Sequence, residues 1–298
     1  MNVDFSQLTP PNIIEVLDYE ILLNERKEAL IAKWETSDDQ DSIRAILNRE
    51  SEPLTKFLEE NTYRELILRN RINQAALAVL LAFAQGDNLD AVAANFDVVR
   101  LVIVEATQNS AAVYESDDAL RTRVQMKFDS LSTAGPENSY KYHCFSADGR
   151  VSDVSVISPN PAYVTVSILQ ADSENNAASD ELLEIVAAAL SPEDVRPIGD
   201  RVTVQSAQIV NYTIDADIYV SKDPEGATLL EQATTNIQNY ISYAKRIGRS
   251  VYLSAIYAQL HVSGVSRVVI HQPSQDIELT QEQASFCTSL NIQLVGTE

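Results

Sequence analysis

The stretch from Pro53 to Asp90, PLTKFLEENTYRELILRNRINQAALAVLLAFAQGDNLD, decides how the chain folds. Pro53 suits the first helical position, where its missing N–H costs nothing, and neither Pro nor Gly recurs before Gly86. The spacing predicts one helix of 32 residues, about 48 Å long at 1.5 Å rise per residue. Its start carries one apolar patch, Leu54, Phe57 and Leu58, with Glu59 and Glu60 on other faces. Its middle mixes Arg64, Arg69 and Arg71 with aliphatics, and Glu60/Arg64 and Glu65/Arg69 have the favourable i, i+4 orientation. The ten residues Ala75 to Ala84 are all apolar, and a helix that is apolar all round is expected to be buried all round. Ten residues fall far short of the about 20 that span a bilayer, so the expected burial is in protein. The helix reads as a structural spine whose free end seeks partner helices.

Upstream, residues 1–17 contain Pro10-Pro11, which disfavours helix before it, so this lead-in is either frayed or laid on a neighbour. Asp18 can cap a helix from Tyr19 to about Lys33. Ser37 to Asp41 reads as an acidic turn leading through a short helix into the spine. Residues 1–85 are thus expected to be wholly helical, with the first helix antiparallel to the spine.

Downstream, Gly86 can end the spine, Asn88 can cap a short helix through about Asn95, and Val98 to Val104 reads as a strand. Residues 105–117 form a polar connection, Leu120 to Leu131 looks helical, and Thr133 to Asn138 marks a turn. From Val151 the hydrophobic period switches to two: Val151 to Ile157, a turn at Ser158 to Pro161, and Tyr163 to Leu169 make a hairpin. Ser179 caps a helix to Leu190, which Asp194-Val195-Arg196-Pro197 follows as its stop. Arg201 to Ser206 opens the last section. There the strand Tyr212 to Val220, a helix from Thr228 to Arg246, another from Ser254 to His261 and the strand Val265 to Ile270 form a β-α-α-β unit. A final strand runs from Asn291 to Val295. The expected class is multidomain α+β: a long-helix domain over 1–85, a middle α+β domain over 86–195 and a C-terminal α+β domain over 196–298.

The 298 residues suit two or three domains. Forty-three acids against 22 Lys+Arg give a net charge of −21. Nucleic acid is therefore not an expected direct partner, since phosphate binding needs clustered cations. No signal peptide or membrane segment is read from the chain, so no membrane insertion is expected. Cys144 and Cys287 make no disulfide framework, which fits synthesis in reducing cytosol. The sequon Asn211-Tyr212-Thr213 lies in an expected strand. Tyr outnumbers Phe and Trp, at 12 against 7 and 1, which suits surfaces wet before assembly and covered after it.

Chemistry-bearing motifs are scarce. The glycine motifs for phosphates and dinucleotides, the paired helix histidines of metalloproteases and the serine elbow are absent. His143-Cys144, read as extended chain, points the two side chains to opposite faces, so they cannot act as base and nucleophile on each other. A metal site lacks a second ligand pair, and no cofactor is expected. Glu59-Glu60 and Asp117-Asp118 could supply the two carboxylates of a hydrolase, but among 43 acids such pairs carry little information.

Three ordered stretches are more specific. The first runs from Glu50 to Leu54 through Glu60-Asn61-Thr62-Tyr63-Arg64-Glu65-Leu66 to Ala84 and Asp90, with Arg100 beyond. The second joins Ser132 to Pro136, Tyr140 to His143 and Ser146 to Val151. The third joins Asp194 to Pro197, Asp200 to Ser206 and Leu253 to Tyr257 ahead of Gly264-Val265. Together they resemble the baseplate assembly protein J family of contractile-tailed phages and phage-tail-like bacteriocins (tailocins). The resemblance implies a non-enzymatic wedge protein of the tail baseplate, assembled in the bacterial host cytoplasm. It implies two copies clamped around one tail protein I through long helices, with six wedges ringing the central spike and hub and a lysozyme-like wedge protein linking them to the sheath. The ring would hold the sheath extended and dilate when receptor binding triggers contraction. Carried over by position, Leu54 to Ala84 would supply the bundle, with Leu54, Phe57, Leu58, Tyr63, Leu66, Ile67, Leu68, Ile72, Leu77, Leu80, Leu81 and Phe83 facing partners. The C-terminal section would supply contacts between neighbouring copies, and residues 105–117 or 191–200 a hinge. The alternative class is a carboxylate-dependent tail hydrolase acting on envelope polymers.

Overall fold

Three helices follow the lead-in, the first two started by side-chain caps. In the computed structural model, which describes residues 5–132, 135–171, 173–192, 195–220 and 226–297, Asp18 Oδ1 accepts from the Ile21 amide at 3.0 Å and starts α1, Tyr19–Ile31. Thr36 caps α2, Ser37–Leu47, through the Asp39 amide. The acidic stretch expected as a turn is thus the first turn of α2. Its carboxylates sit at the positive end of the helix dipole, where negative charge is favoured. α3, Pro53–Ala78, has Pro at its start. Leu23, Ile31, Leu47 and Leu58 form the core of these three helices. The Tyr19 hydroxyl reaches the Glu59 carbonyl and Arg26 pairs with Glu65. Contacts therefore advance the same way along α1 and α3, not in opposite senses as expected: α2 adds a reversal on each side, and two reversals restore direction.

The spine is shorter than the spacing predicts. α3 ends at Ala78, and Leu80 N–H bonds back to the Leu77 carbonyl at 3.1 Å and Ala84 N–H to the Leu80 carbonyl at 2.8 Å. Helix stability comes mostly from packing; the turn buries Ala84 and half-buries Leu81, Ala82 and Phe83, cover that a straight rod lacks within this unit. α4, Gly86–Ala94, then begins two residues before the expected Asn88 cap, without a side-chain cap. Gly86 has φ +52°, which glycine adopts at no steric penalty. The described part of the lead-in holds one 3-10 turn, Phe5–Gln7, and is laid on α3 at Glu15: Asn73 Oδ1 accepts from the Glu15 amide at 3.1 Å and its Nδ2 donates to the Glu15 carbonyl at 2.9 Å. Residues 1–85 are accordingly not helical throughout.

Backbone contacts divide the chain into two units, Met1–Val99 and Arg100–Glu298. The second opens with β1, Val102–Val104, antiparallel to β2, Val113–Tyr114. The strand expected from Val98 is cut to three residues because its partner is only two long, and that partner lies in the stretch read as a connection. α5, Asp117–Met126, is capped by Ser116. α6, Glu137–Ala147, takes up His143-Cys144, which the sequence reading placed in extended chain. β3, Val151–Asn160, and β4, Tyr163–Gln170, form the expected hairpin, but β3 runs on through Ser158 to Asn160, which pairs with Tyr163, so the turn shrinks from the expected Ser158 to Pro161 to Pro161-Ala162. α7, Asp180–Leu190, begins where the Ser179 hydroxyl accepts from the Leu182 amide at 3.3 Å. β5, Arg201–Ser206, pairs parallel with β4, so the three-stranded order is β3-β4-β5. Thr133, Ala134 and Asp194, part of two expected turns, lie outside the described residues.

The last sheet is built on β6, Gln208–Val220, flanked by β7, Val265–Gln272, and β8, Gln283–Thr297. β7 is antiparallel and β8 parallel to β6. β8 begins eight residues before the expected Asn291, because pairing with β6 starts at Gln208↔Gln283. α8, Gly226–Ala244, and α9, Leu253–Leu260, cover one face. Ile214, Ala216 and Ile218, fully buried, alternate toward Ile237 and Ile256. The two sheets join where β5 runs into β6: the Ala207 amide bonds to the Ile168 carbonyl, the Ile247 amide to Asp153 Oδ2 at 2.8 Å, and Gln205 to Glu282 at 3.1 Å. No described helix is long and apolar enough to cross a membrane.

Candidate functional site

α3 turns one face inward and leaves another apolar face open. Thr55, Leu58, Thr62 and Asn73 are its buried residues, and Thr62 Oγ1 satisfies itself on the Leu58 carbonyl at 2.7 Å. On the outer side, Phe57 is 64% exposed, Leu68 and Ile72 each 62%, and Val79 71%. At 3.6 residues per turn, Leu54, Phe57, Leu68, Ile72 and Val79 fall within an arc of about 60°. Tyr63 and Ile67 are exposed on another side, and Leu80 in the turn beyond. Leu66, Leu77, Leu81 and Phe83 are half-buried. Of the twelve expected partner-facing residues, Leu58 belongs to the core of its own unit. Val79 is not among the expected residues, although Leu77 and Leu80 of the same all-apolar run are; periodicity there singles out no face.

Charges brace the buried side of the helix. Glu65 pairs with Arg26 and, at 2.7 Å, with Arg69, which also reaches Glu15 at 3.1 Å. The hydrogen bond from Arg26, then that from Arg69, holds the Glu65 carboxyl below the usual range.

The acids that a hydrolase would use are each taken up by a cation. Glu59 faces Lys56 at 2.8 Å, Glu60 faces Arg64, Asp117 faces Arg100 at 2.7 Å and Asp118 faces Arg121 at 2.7 Å. His143 and Cys144 are adjacent on α6 and so about 100° apart around the helix. Burial pushes the Cys144 thiol up to about 12, far from a nucleophilic thiolate. Among the described residues no group of three or more His, Cys, Asp or Glu is placed to hold a metal ion.

Comparison with known proteins adds the family. The Baseplate J-like N-terminal domain matches residues 50–107, the Baseplate J-like central domain residues 132–206, and the Baseplate J-like protein C-terminal domain residues 212–293. Baseplate protein J of Escherichia phage P2 is 48% identical over 300 residues, covering 99% of both chains. A chain in the cryo-EM structure of the anti-feeding prophage (AFP) baseplate, 6-fold symmetrised, aligns at a TM-score of 0.42 and 15% identity over 61% of this chain and 43% of its own length. With three successive domain matches and a full-length relative, this chain belongs to the Baseplate J-like protein family.

Proposed function

We propose that this protein is a structural subunit of the baseplate of a contractile phage tail or tailocin. The observation that carries the reading is the 48% identity, end to end, to a phage baseplate protein J. Within it, the open stripe of α3 and the apolar turn after Ala78 are the surface of a helical wedge bundle. Two copies of this chain join one tail protein I there. Six wedges surround the central spike and hub, and a lysozyme-like wedge protein connects them to the sheath. The large exposed residues Phe57, Leu68, Ile72 and Val79 support this assignment, because wide apolar surface on a soluble chain marks a place of contact. The three-part division at 85/86 and 195/196 belongs to the same proposal. The role is mechanical and not catalytic, in keeping with acids tied up in separate ion pairs.

Native mass spectrometry of the chain co-expressed with its neighbouring tail proteins tests this. The expected species holds two copies of this chain and one partner. Leu68→Asp with Ile72→Asp, on the exposed stripe, removes that species while leaving the circular dichroism of the chain unchanged. A partner complex that survives both substitutions overturns the bundle assignment.

A further inference from the structure

Open sheet edges present unpaired N–H and C=O groups, and soluble proteins guard them with charge, proline or cover. The two three-stranded sheets have four outer strands. β3 carries Asp153 and Pro159, β5 carries Arg201, and β7 carries Arg267 with His271. β8 carries no charged residue and no proline from Gln283 to Thr297, and its irregularities, at Thr288 and Val295, leave the run from Ser289 to Leu294 regular. Its first residues are covered, by the Ile247↔Ala284 bridge, the Gly248 amide on the Gln283 carbonyl at 2.8 Å and Lys245 over the Phe286 ring. Among the described residues, the strand beyond them has β6 on one side and no strand on the other. Leu294 is 39% and Val295 49% exposed.

We propose that β8 pairs antiparallel with β8 of a second copy, joining two β7-β6-β8 sheets into one of six strands. The proposal rests on the reading that copies of this chain meet in the assembled baseplate. Two considerations select a second copy as the occupant. First, the chain carries −21 charges, so two copies repel over most of their surface, and an uncharged ribbon is where approach is least opposed. Second, the strand is complementary to itself. Residues 289–294 pair in unbroken register with Thr213 to Ile218, so Leu290, Ile292 and Leu294 share the helix-covered face with Ile214, Ala216 and Ile218. Asn291 and Gln293 lie on the opposite face, where Asn291 donates to Asp215 at 2.7 Å. Centred on Ile292, a two-fold pairing sets Leu290 against Leu294 of the second copy and Asn291 against Gln293. Apolar meets apolar beside the core, and amide meets amide on the open face.

Sedimentation equilibrium of the full chain, combined with hydrogen exchange, tests this. The wild-type chain is expected to dimerise and to protect the amides of residues 289–295 in proportion to dimer. Asn291→Glu with Gln293→Glu sets like charges opposite each other twice across the two-fold, weakening the dimer about tenfold or more. Mixing that variant with Asn291→Lys/Gln293→Lys chains restores pairing as a heterodimer, which a merely misfolded variant does not do. A monomeric wild-type chain, a dimer indifferent to the glutamate pair, or no rescue on mixing each overturns the proposal. The glutamate variant retains α3, so its capture of the bundle partner reports on the wedge reading separately.

Discussion

At the scale of single residues, a buried electrostatic commitment is the Arg123–Glu115 pair, in which both side chains are 5% exposed. Glu115 also accepts from the Leu101 amide at 2.9 Å, and Arg100 donates to the Glu115 carbonyl at 2.8 Å. One carboxylate thus ties β1, β2 and α5 together. Removing one partner of a buried pair strands the other charge in low dielectric, which costs about 3–5 kcal/mol. Glu115→Ala is therefore expected to lower the denaturant midpoint by that order, and an unfolding curve superimposable on wild type refutes the role. Neither residue is legible as special in the sequence, since Glu115 is one acid among 43 and its partner lies eight positions away in another element. Asn73 is a similar case. A lone polar residue on a helix gives no sign that its amide will clamp the backbone of Glu15, 58 residues earlier. Tyr140 likewise donates to Asp200 at 2.6 Å, and Arg196 donates to the Asp200 carbonyl at 2.6 Å, so the stretch read as one hinge candidate is tied to α6.

At the scale of elements, two helix starts were legible. The caps Asp18 and Ser179 are local devices, satisfied within three residues of the chain, whereas the Ser116 cap lies in the stretch read as a connection and the expected Asn88 cap falls inside α4. The β-α-α-β order of the C-terminal section was legible for the same reason: hydrophobic period and Gly264 mark it locally. Gly264 has φ +103°, and a Cβ there would lie 3.0 Å from Leu229 Cδ1. Element ends were less legible. α3 stops at Ala78 although its sequence permits six more helical residues, because local propensity sets no end where only packing decides. The spine also yields a prediction. Leu68→Pro removes an interior hydrogen bond and clashes with the preceding turn, a local penalty of about 3 kcal/mol or more. Particles carrying it are expected not to assemble, scored by electron microscopy and by killing of host cells. Contractile, active particles with Leu68→Pro eliminate the spine as the assembly element.

At the scale of the whole molecule, the charge of −21 governs how copies approach. A contact held by ion pairs loosens as salt rises, whereas a neutral strand edge between like-charged bodies tightens, since screening removes repulsion and not attraction. The β8 dimer is therefore expected to strengthen with ionic strength in sedimentation series; weakening with salt points to an interface built on charges instead. By itself the sequence determined the capped starts of α1 and α7, the β3-β4 hairpin, the β-α-α-β order of the last section and, through three ordered motifs, the family. These rest on neighbours within a few residues. Only the tertiary structure decided that β6 sits between β7 and β8, that β5 pairs with β4, that α1 and α3 run the same way, and which face of α3 stays open. Those outcomes depend on hydrogen bonds and burial between segments far apart in sequence, where each segment's own pattern is compatible with several partners and packing selects among them.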